Sequence, residues 1–369
     1  MKDIRIEKLA QLLVNYSVAV RKGDKVKIRG DYAAAPLVKE IYAEVLKAGG
    51  HPIVFLEPEG LAEMFYKYAS DEQLKFIHEP EKIITDKYDV AISLGGVSNT
   101  RALSKVDPSR MVIRHQSRTE LMNTQMRRSA DGNFRWTYTI FPTNAYAQDA
   151  DMSLSEYEDF VYKACLPDMD DPVGYWQRFS KRQENIINWL KGKKRVYISG
   201  EETELTLSIE GRPFINCDGR YNMPDGEVFT SPVEDSVNGH VYFSYPAIMG
   251  GKEVTGVRLW FENGKVVKAS AEKNEDYLLK MLDTDAGSRT LGEFAIGTSP
   301  NINKFTREIL FDEKINGSFH MALGAGYPES GSKNESAIHW DMICDLRNGG
   351  EIRVDGDLLH KNGRFVIDF

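Results

Sequence analysis

Apolar positions along the first half of the chain switch between two periods. Ile6, Leu9, Leu13 and Tyr16 recur at helical spacing, KVKIRG alternates like a strand, and APLVKEIYAEVLKAGG returns to helical spacing with Pro36 near its start and Gly49 at its end. HPIVFL reads as a second strand. Strand, helix and strand at such short intervals predict a parallel sheet with helices packed on it. YDVAISLGG, MVIRH and RWTYTIF continue the pattern as strands, so an open parallel-sheet α/β layer is expected up to about residue 165.

YWQRFSKRQENIINWLKG predicts a helix that bridges to a different grammar. From residue 193, RVYISG, ELTLSIEG, HVYFSYP, VTGVRLWFENG and KVVKASA alternate apolar and polar residues between Gly and Asn punctuation, which suits a twisted, mainly antiparallel sheet or partial barrel. NEDYLLKMLDT and NINKFTREILF are expected to interrupt it as short helices. The expected organisation is an α/β domain over residues 1–190 and an α+β domain over residues 191–369, with the boundary at 188–192. There is no internal repeat and no low-complexity run.

Composition narrows the function classes. A chain of 369 residues, 41% of them apolar, can bury a core in each of two domains. Its formal charge of −8, with acidic and basic residues interspersed, argues against the basic stripe that nucleic-acid binding needs. Cys165, Cys217 and Cys344 are far apart, have no CxxC spacing and cannot all pair, which fits a reduced cytoplasm. The charged N-terminus does not read as a signal peptide, and no stretch approaches the roughly 18 uninterrupted apolar residues of a membrane span.

Candidate chemistry concentrates in the second half. The Gly pair in SLGGVSNTR follows a strand but lacks GxGxxG spacing, and reads as a strand-end turn before a phosphate cradle. His339 and Asp341, two apart in SAIHWDMICDL, would point to one face of a strand while Trp340 and Met342 point to the other. That geometry suits a metal pair, although taken alone it is more often an exposed polar face or a hydrogen-bonded pair. His320, in the apolar run FHMAL, reads alone as a core histidine, but glycines at 324, 326 and 331 allow a turn that returns the chain to His339. Glu227 and Glu293, each preceded by glycine and followed by an apolar residue, extend the constellation, although each alone reads as a turn residue. Glu234 and Asp235 compete with Glu227 for its place. His51, His78, His115, His240 and His360 have no matching constellation; His240 lies nearest to the Glu227 motif.

Four stretches in order, GEVFTSPVEDSVNG, LGEFAIGTSPNIN, DEKINGSFHMALGAGYP and SAIHWDMICDL, resemble the aminopeptidase T / aminopeptidase S family of metallo-aminopeptidases, the M29 peptidases. KGDKVKIRG and IFPTNAYAQDA extend the resemblance over the N-terminal half. The resemblance implies Glu227, Glu293, His320, His339 and Asp341 as metal ligands and Tyr327, in the AGYP turn, as the family's tyrosine after the first histidine. It further implies two domains, a dinuclear site filled by zinc or cobalt, and a homodimer with an enclosed site. The segment between Tyr327 and His339 is short, which leaves the shape of the substrate pocket open.

Five nitrogen and oxygen donors without thiolate favour Zn, Co or Mn. Two divalent ions would balance the three carboxylates and one bridging hydroxide. Such a pair can make a bridging water nucleophilic at neutral pH and bind a free α-amine, so the expected substrates are peptides with a free N-terminus, cleaved one residue at a time. Glu313 is the candidate general base and Tyr327 the candidate donor to the oxyanion, against surface and core readings respectively. The alternatives are another dinuclear metallohydrolase, such as a phosphoesterase, and a metal-stabilised peptide-binding protein without turnover.

Overall fold

Alternation in KVKIRG becomes a strand because Val26, Ile28 and Gly30 are buried while the basic residues between them reach toward solvent. In the computed structural model, which describes residues 3–367, this strand (Lys25–Asp31) is one of five in a sheet. The order is His51–Glu57, Lys25–Asp31, Val90–Gly95, Arg135–Ile140 and Asn222–Met223, with every pairing parallel. The helix Ala35–Lys47, with proline in its first turn, buries Leu37, Val38, Ile41 and Val45. The expected parallel α/β region is therefore present.

MVIRH is not a strand. It lies inside the helix Pro108–Ser117, where the Asp107 carboxylate accepts from Ser109 N at 2.9 Å and Pro108 occupies the first turn. A capped start thus overrides a short apolar run that periodicity alone cannot assign. NINKFTREILF is helical only over Ile309–Asp312. Arg307 adopts φ +62° and Asp312 accepts from Thr306 N at 2.7 Å, closing a loop where a longer helix was expected.

The chain packs as two compact units, one comprising residues up to Tyr175 with Gly219–Pro224, the other Trp176–Asp218 with Asp225 onward. Against an expected single boundary at 188–192, the helix Pro172–Leu190 falls mostly in the second unit, and a short later segment supplies the fifth strand of the parallel sheet. The second unit carries an antiparallel eight-stranded sheet and an antiparallel five-stranded sheet. The latter runs His339–Asp345, Ser318–Gly324, Leu291–Gly297, Glu227–Thr230 and Ile215–Cys217. One face of it contributes Val228, Phe294, Ile296, Phe319, Met321, Trp340 and Met342 to the apolar core of the unit.

One buried histidine lies on the eight-stranded sheet. His360 is fully enclosed opposite Ile352, its ring lies edge-on to Phe365, and neither ring nitrogen has a hydrogen-bond partner. Burial pushes its pKa down to about 4. An unfolded chain binds that proton near pH 6.5, so stability falls as pH drops from 6.5 toward 4. His360→Leu should remove this loss, leaving the variant more stable than wild type by about 2 kcal/mol at pH 5 relative to the difference at pH 7. Urea unfolding at the two pH values checks it; parallel pH dependence in both proteins would refute it.

Candidate metal centre

Register in the five-stranded sheet decides which side chains share a face. Ala322 lies opposite Asp341, Gly324 opposite His339, His320 opposite Ala295, and Gly297 opposite Glu227. His320, His339, Asp341 and Glu227 therefore project from the face opposite the core, and the small residues Ala295, Ala322 and Gly297 leave space between them. Glu293 shares that face by alternating with the core residues Phe294 and Ile296, and a bulge lies just before it. Leu291 pairs with Leu323 on the core side, Glu293 pairs with Ala322, and the extra residue Gly292 shifts the alternation by one. A Cβ at Gly292 would lie 2.2 Å from the Ala325 carbonyl oxygen, so the bulge requires glycine.

Glu293 joins two groups of donors. Its Oε1 is 3.3 Å from His320 Nε2, and its Oε2 is 3.6 Å from His339 Nε2. His320 Nε2 is also 3.1 Å from Glu227 Oε2, and His339 Nε2 is 3.5 Å from Asp341 Oδ1. In each of the trios Glu227–Glu293–His320 and Glu293–His339–Asp341, the donor atoms lie within 4.8 Å of one another. His339 Nδ1 donates to the Ala325 carbonyl at 2.7 Å, which turns Nε2 toward the carboxylates.

Three buried polar atoms of this cluster, Glu227 Oε2, His320 Nδ1 and Asp341 Oδ1, make no hydrogen bond. Buried polar atoms of native proteins are almost always paired, and a concentration of exceptions on convergent carboxylates and imidazoles marks a place built for cations. The titration of the cluster agrees. Burial alone would lower the pKa of His320, but Glu227 and Glu293 outweigh it and hold the imidazole well above its ordinary value. His339 is likewise opposed by burial and pushed up to about 10 by Asp341 and Glu293. Asp341 falls to about 2 because His339 outweighs its burial. Burial raises Glu293, whereas Glu227, with Lys314 and His320 close by, is lowered despite its burial.

The expected catalytic pair falls beside these donors. Glu313 groups with His320 and Asp341, and burial among carboxylates pushes its pKa up to about 8, against the pull of Lys314. Tyr327 stacks edge-on against His339 at 5.3 Å and against Phe229 at 5.5 Å, with 39% of its surface exposed. The competitors lie elsewhere: Glu234 pairs with Arg212 and accepts from Lys333 N, and His240 is on the eight-stranded sheet opposite Trp260. Sequence reasoning missed Asp225, grouped with Glu227 and Cys217, and missed Lys314 as a member of the cluster. The i, i+2 spacing of Asp225 and Glu227 was a signal for the first; a lysine adjoining Glu313 is not by itself informative.

The sequence pattern of the thermophilic metalloprotease family M29 matches residues 2–365. Aminopeptidase 2 of Geobacillus stearothermophilus is 27% identical, with 97% of this chain and 95% of that protein covered. Aminopeptidase T of Thermus thermophilus is 25% identical, with the same 97% and 95% coverage. In fold, the solved structure of wild-type AmpT from Thermus thermophilus matches with a TM-score of 0.85 at 23% identity, over 98% of this chain and 99% of that one. With the family match spanning both units and a donor cluster of the matching chemistry, the chain belongs to the thermophilic metalloprotease family M29.

Proposed function

We propose that this metal-dependent aminopeptidase works with two divalent ions, Zn, Co or Mn, held by Glu227, Glu293 and His320 on one side and by Glu293, His339 and Asp341 on the other. The observation that carries this reading is that the two oxygens of Glu293 face different histidines, so that this one carboxylate would serve both groups of donors. Charge supports it. The carboxylates of Asp225, Glu227, Glu293, Glu313 and Asp341 against the ammonium of Lys314 leave four negative charges, matching two divalent cations. That count replaces the simpler balance of three carboxylates and a hydroxide.

Bound ions of this kind supply Lewis acidity and bring the pKa of a coordinated water toward neutrality. Glu313 takes the proton of the attacking water and returns it to the departing amine, a task suited by its elevated pKa. Tyr327 keeps its proton, because partial desolvation and the surrounding carboxylates raise its pKa, and its hydroxyl donates to the developing oxyanion. Glu227 and Asp341, whose side chains are only 7% and 14% exposed, would offer their carboxylates to the ions from a largely enclosed face. Phosphoester hydrolysis gains no support, since Lys314 is committed to Glu313.

The metal-binding catalytic unit is assigned to Trp176–Asp218 with Asp225 onward, in place of a continuous 191–369, the assembly to a homodimer, and the compartment to the cytoplasm, the last in keeping with three buried free cysteines. Elemental analysis of dialysed protein, paired with hydrolysis of an unblocked aminoacyl reporter and its N-acetylated twin, tests the reading. The expected result is two ions per chain and cleavage of the unblocked reporter alone, lost on chelation and restored by metal. Equal cleavage of both reporters would refute exopeptidase action, and one ion per fully active chain would refute the dinuclear site.

A further inference from the structure

Lys314 is the one lysine or arginine buried among the described residues, and it is enclosed completely. It follows the short helix Ile309–Asp312 and lies in the segment that crosses the donor face of the five-stranded sheet. Its backbone is fixed independently of its charge: Lys314 N donates to the Phe311 carbonyl at 3.0 Å, and Ser299 N donates to the Lys314 carbonyl at 3.3 Å. Gly297 permits the crossing, since a Cβ there would lie 2.2 Å from Ile315 O and 3.0 Å from the Lys314 carbonyl carbon. The ammonium at the end of this anchored stem donates to Glu313 Oε1 and lies 3.9 Å from Glu227 Oε1.

A buried ammonium is costly to desolvate and is retained where acidic partners enclose it. Here the partners are a candidate base and a candidate metal donor, reached by one rigidly placed group. We infer that Lys314 is a positioning residue of the hydrolytic cluster, holding the carboxylates of Glu313 and Glu227 in the orientations that the reaction uses. The Cys217–Asp225–Glu227 trio has the spacing of a further metal position, and Lys314 supplies cationic charge at that end of the cluster instead. Each Glu313 oxygen then has a distinct assignment: Oε1 is tied to Lys314, and Oε2 is left for the proton in transit.

The inference rests on the dinuclear aminopeptidase reading, so wild-type metal content and cleavage of the unblocked reporter are measured first. Lys314→Met, Glu313→Gln and the double variant are then compared as metal-loaded full-length proteins. Lys314→Met should keep the wild-type number of ions, lose about 10²-fold in kcat and change KM less than about 3-fold. The double variant should be no slower than Glu313→Gln by more than about 3-fold, because the lysine acts through that carboxylate. Multiplying losses, a wild-type rate in Lys314→Met, or metal lost in proportion to activity would each overturn the role. If the methionine variant fails to fold, Lys314→Gln takes its place in the cycle, and the same results uphold or overturn the role. If the wild type binds metal but does not cleave peptides, the aminopeptidase reading fails by itself. Lys314 is then judged on cobalt-loaded protein, where a visible spectrum unchanged by Lys314→Met overturns the positioning role and an altered one upholds it.

Discussion

Glu293→Ala should lower kcat/KM for an unblocked peptide by about 10³-fold or more, the largest effect expected of any single substitution here. Each of the other four proposed donors belongs to one of the two trios that share Glu293, so its removal weakens one position, whereas removal of Glu293 weakens both. Bound metal should fall below one ion per chain on dialysis. The fold should survive. Burial, helped by the charges of Asp341 and Glu227, raises the Glu293 pKa against the pull of His320, which means that folding opposes its charged form. Deleting it relieves that opposition, and the metal-free variant should melt no lower than metal-free wild type. Glu234→Ala is the matched control, since Glu234 bonds to Arg212 and to Lys333 N outside the cluster, and should change the rate less than about 2-fold. Metal content, circular dichroism and reporter kinetics on the three proteins decide the matter; a Glu293→Ala protein with full metal and full rate would sink the donor set.

LGEFAIG gives two conflicting readings of Glu293, since alternation with Phe294 and Ile296 turns it away from the core and alternation with Leu291 turns it toward the core. The bulge at Gly292 resolves the conflict by letting Leu291 share the core face with Phe294 and Ile296, and a bulge depends on the partner strand and on the approach of the Ala325 carbonyl, neither of which is local in sequence. His339 and Asp341 were legible for the opposite reason. Their two-residue spacing and the apolar pair Trp340 and Met342 between and beyond them fix a strand face without outside help. Lys314 was illegible because nothing about a lysine beside a glutamate foretells complete burial, which here follows from the path of residues 313–315 over Gly297.

The same contrast runs through the fold. Segments whose pattern is long, such as KVKIRG and APLVKEIYAEVLKAGG, form the elements their periods predict, because burial of one face and helix-end signals agree. MVIRH misleads because five residues carry no period, and the deciding signal, Asp107 with Pro108, precedes the run. Residues 301–308 mislead because Thr306 bonds forward to Asp312, an alternative to helix that side-chain hydrogen bonding offers in competition with the backbone. The site is built where these local rules yield: on a bulged strand, beneath a crossing loop, around unpaired buried polar atoms.

Chelation should lower the melting temperature of the second unit by about 10 °C when compared with protein in metal at about 1,000 times its dissociation constant. The gap should widen as pH rises from 6 to 8.5. In the metal-free cluster, His339 has a pKa raised to about 10, so its charged form adds stability that is fully present below pH 6.5 and is lost as pH rises through 10. Asp341, lowered to about 2, contributes stability that is lost only in stronger acid and is constant across this window. Metal-free protein therefore weakens with rising pH. A donor imidazole must be neutral, so metal competes with the proton on His339 and binds more tightly over the same interval. Both effects act in one direction. His339→Ala should reduce the pH dependence of the gap without abolishing it, because His320, also held above its ordinary pKa, and Glu313, raised to about 8, still titrate in the variant. Part of the gap itself should survive on the trio of Glu227, Glu293 and His320. Thermal melts with and without chelator at pH 6.0, 7.2 and 8.5 measure both quantities, and a gap that is absent, or that narrows with pH in the wild type, rules out a cation as the partner these side chains lack.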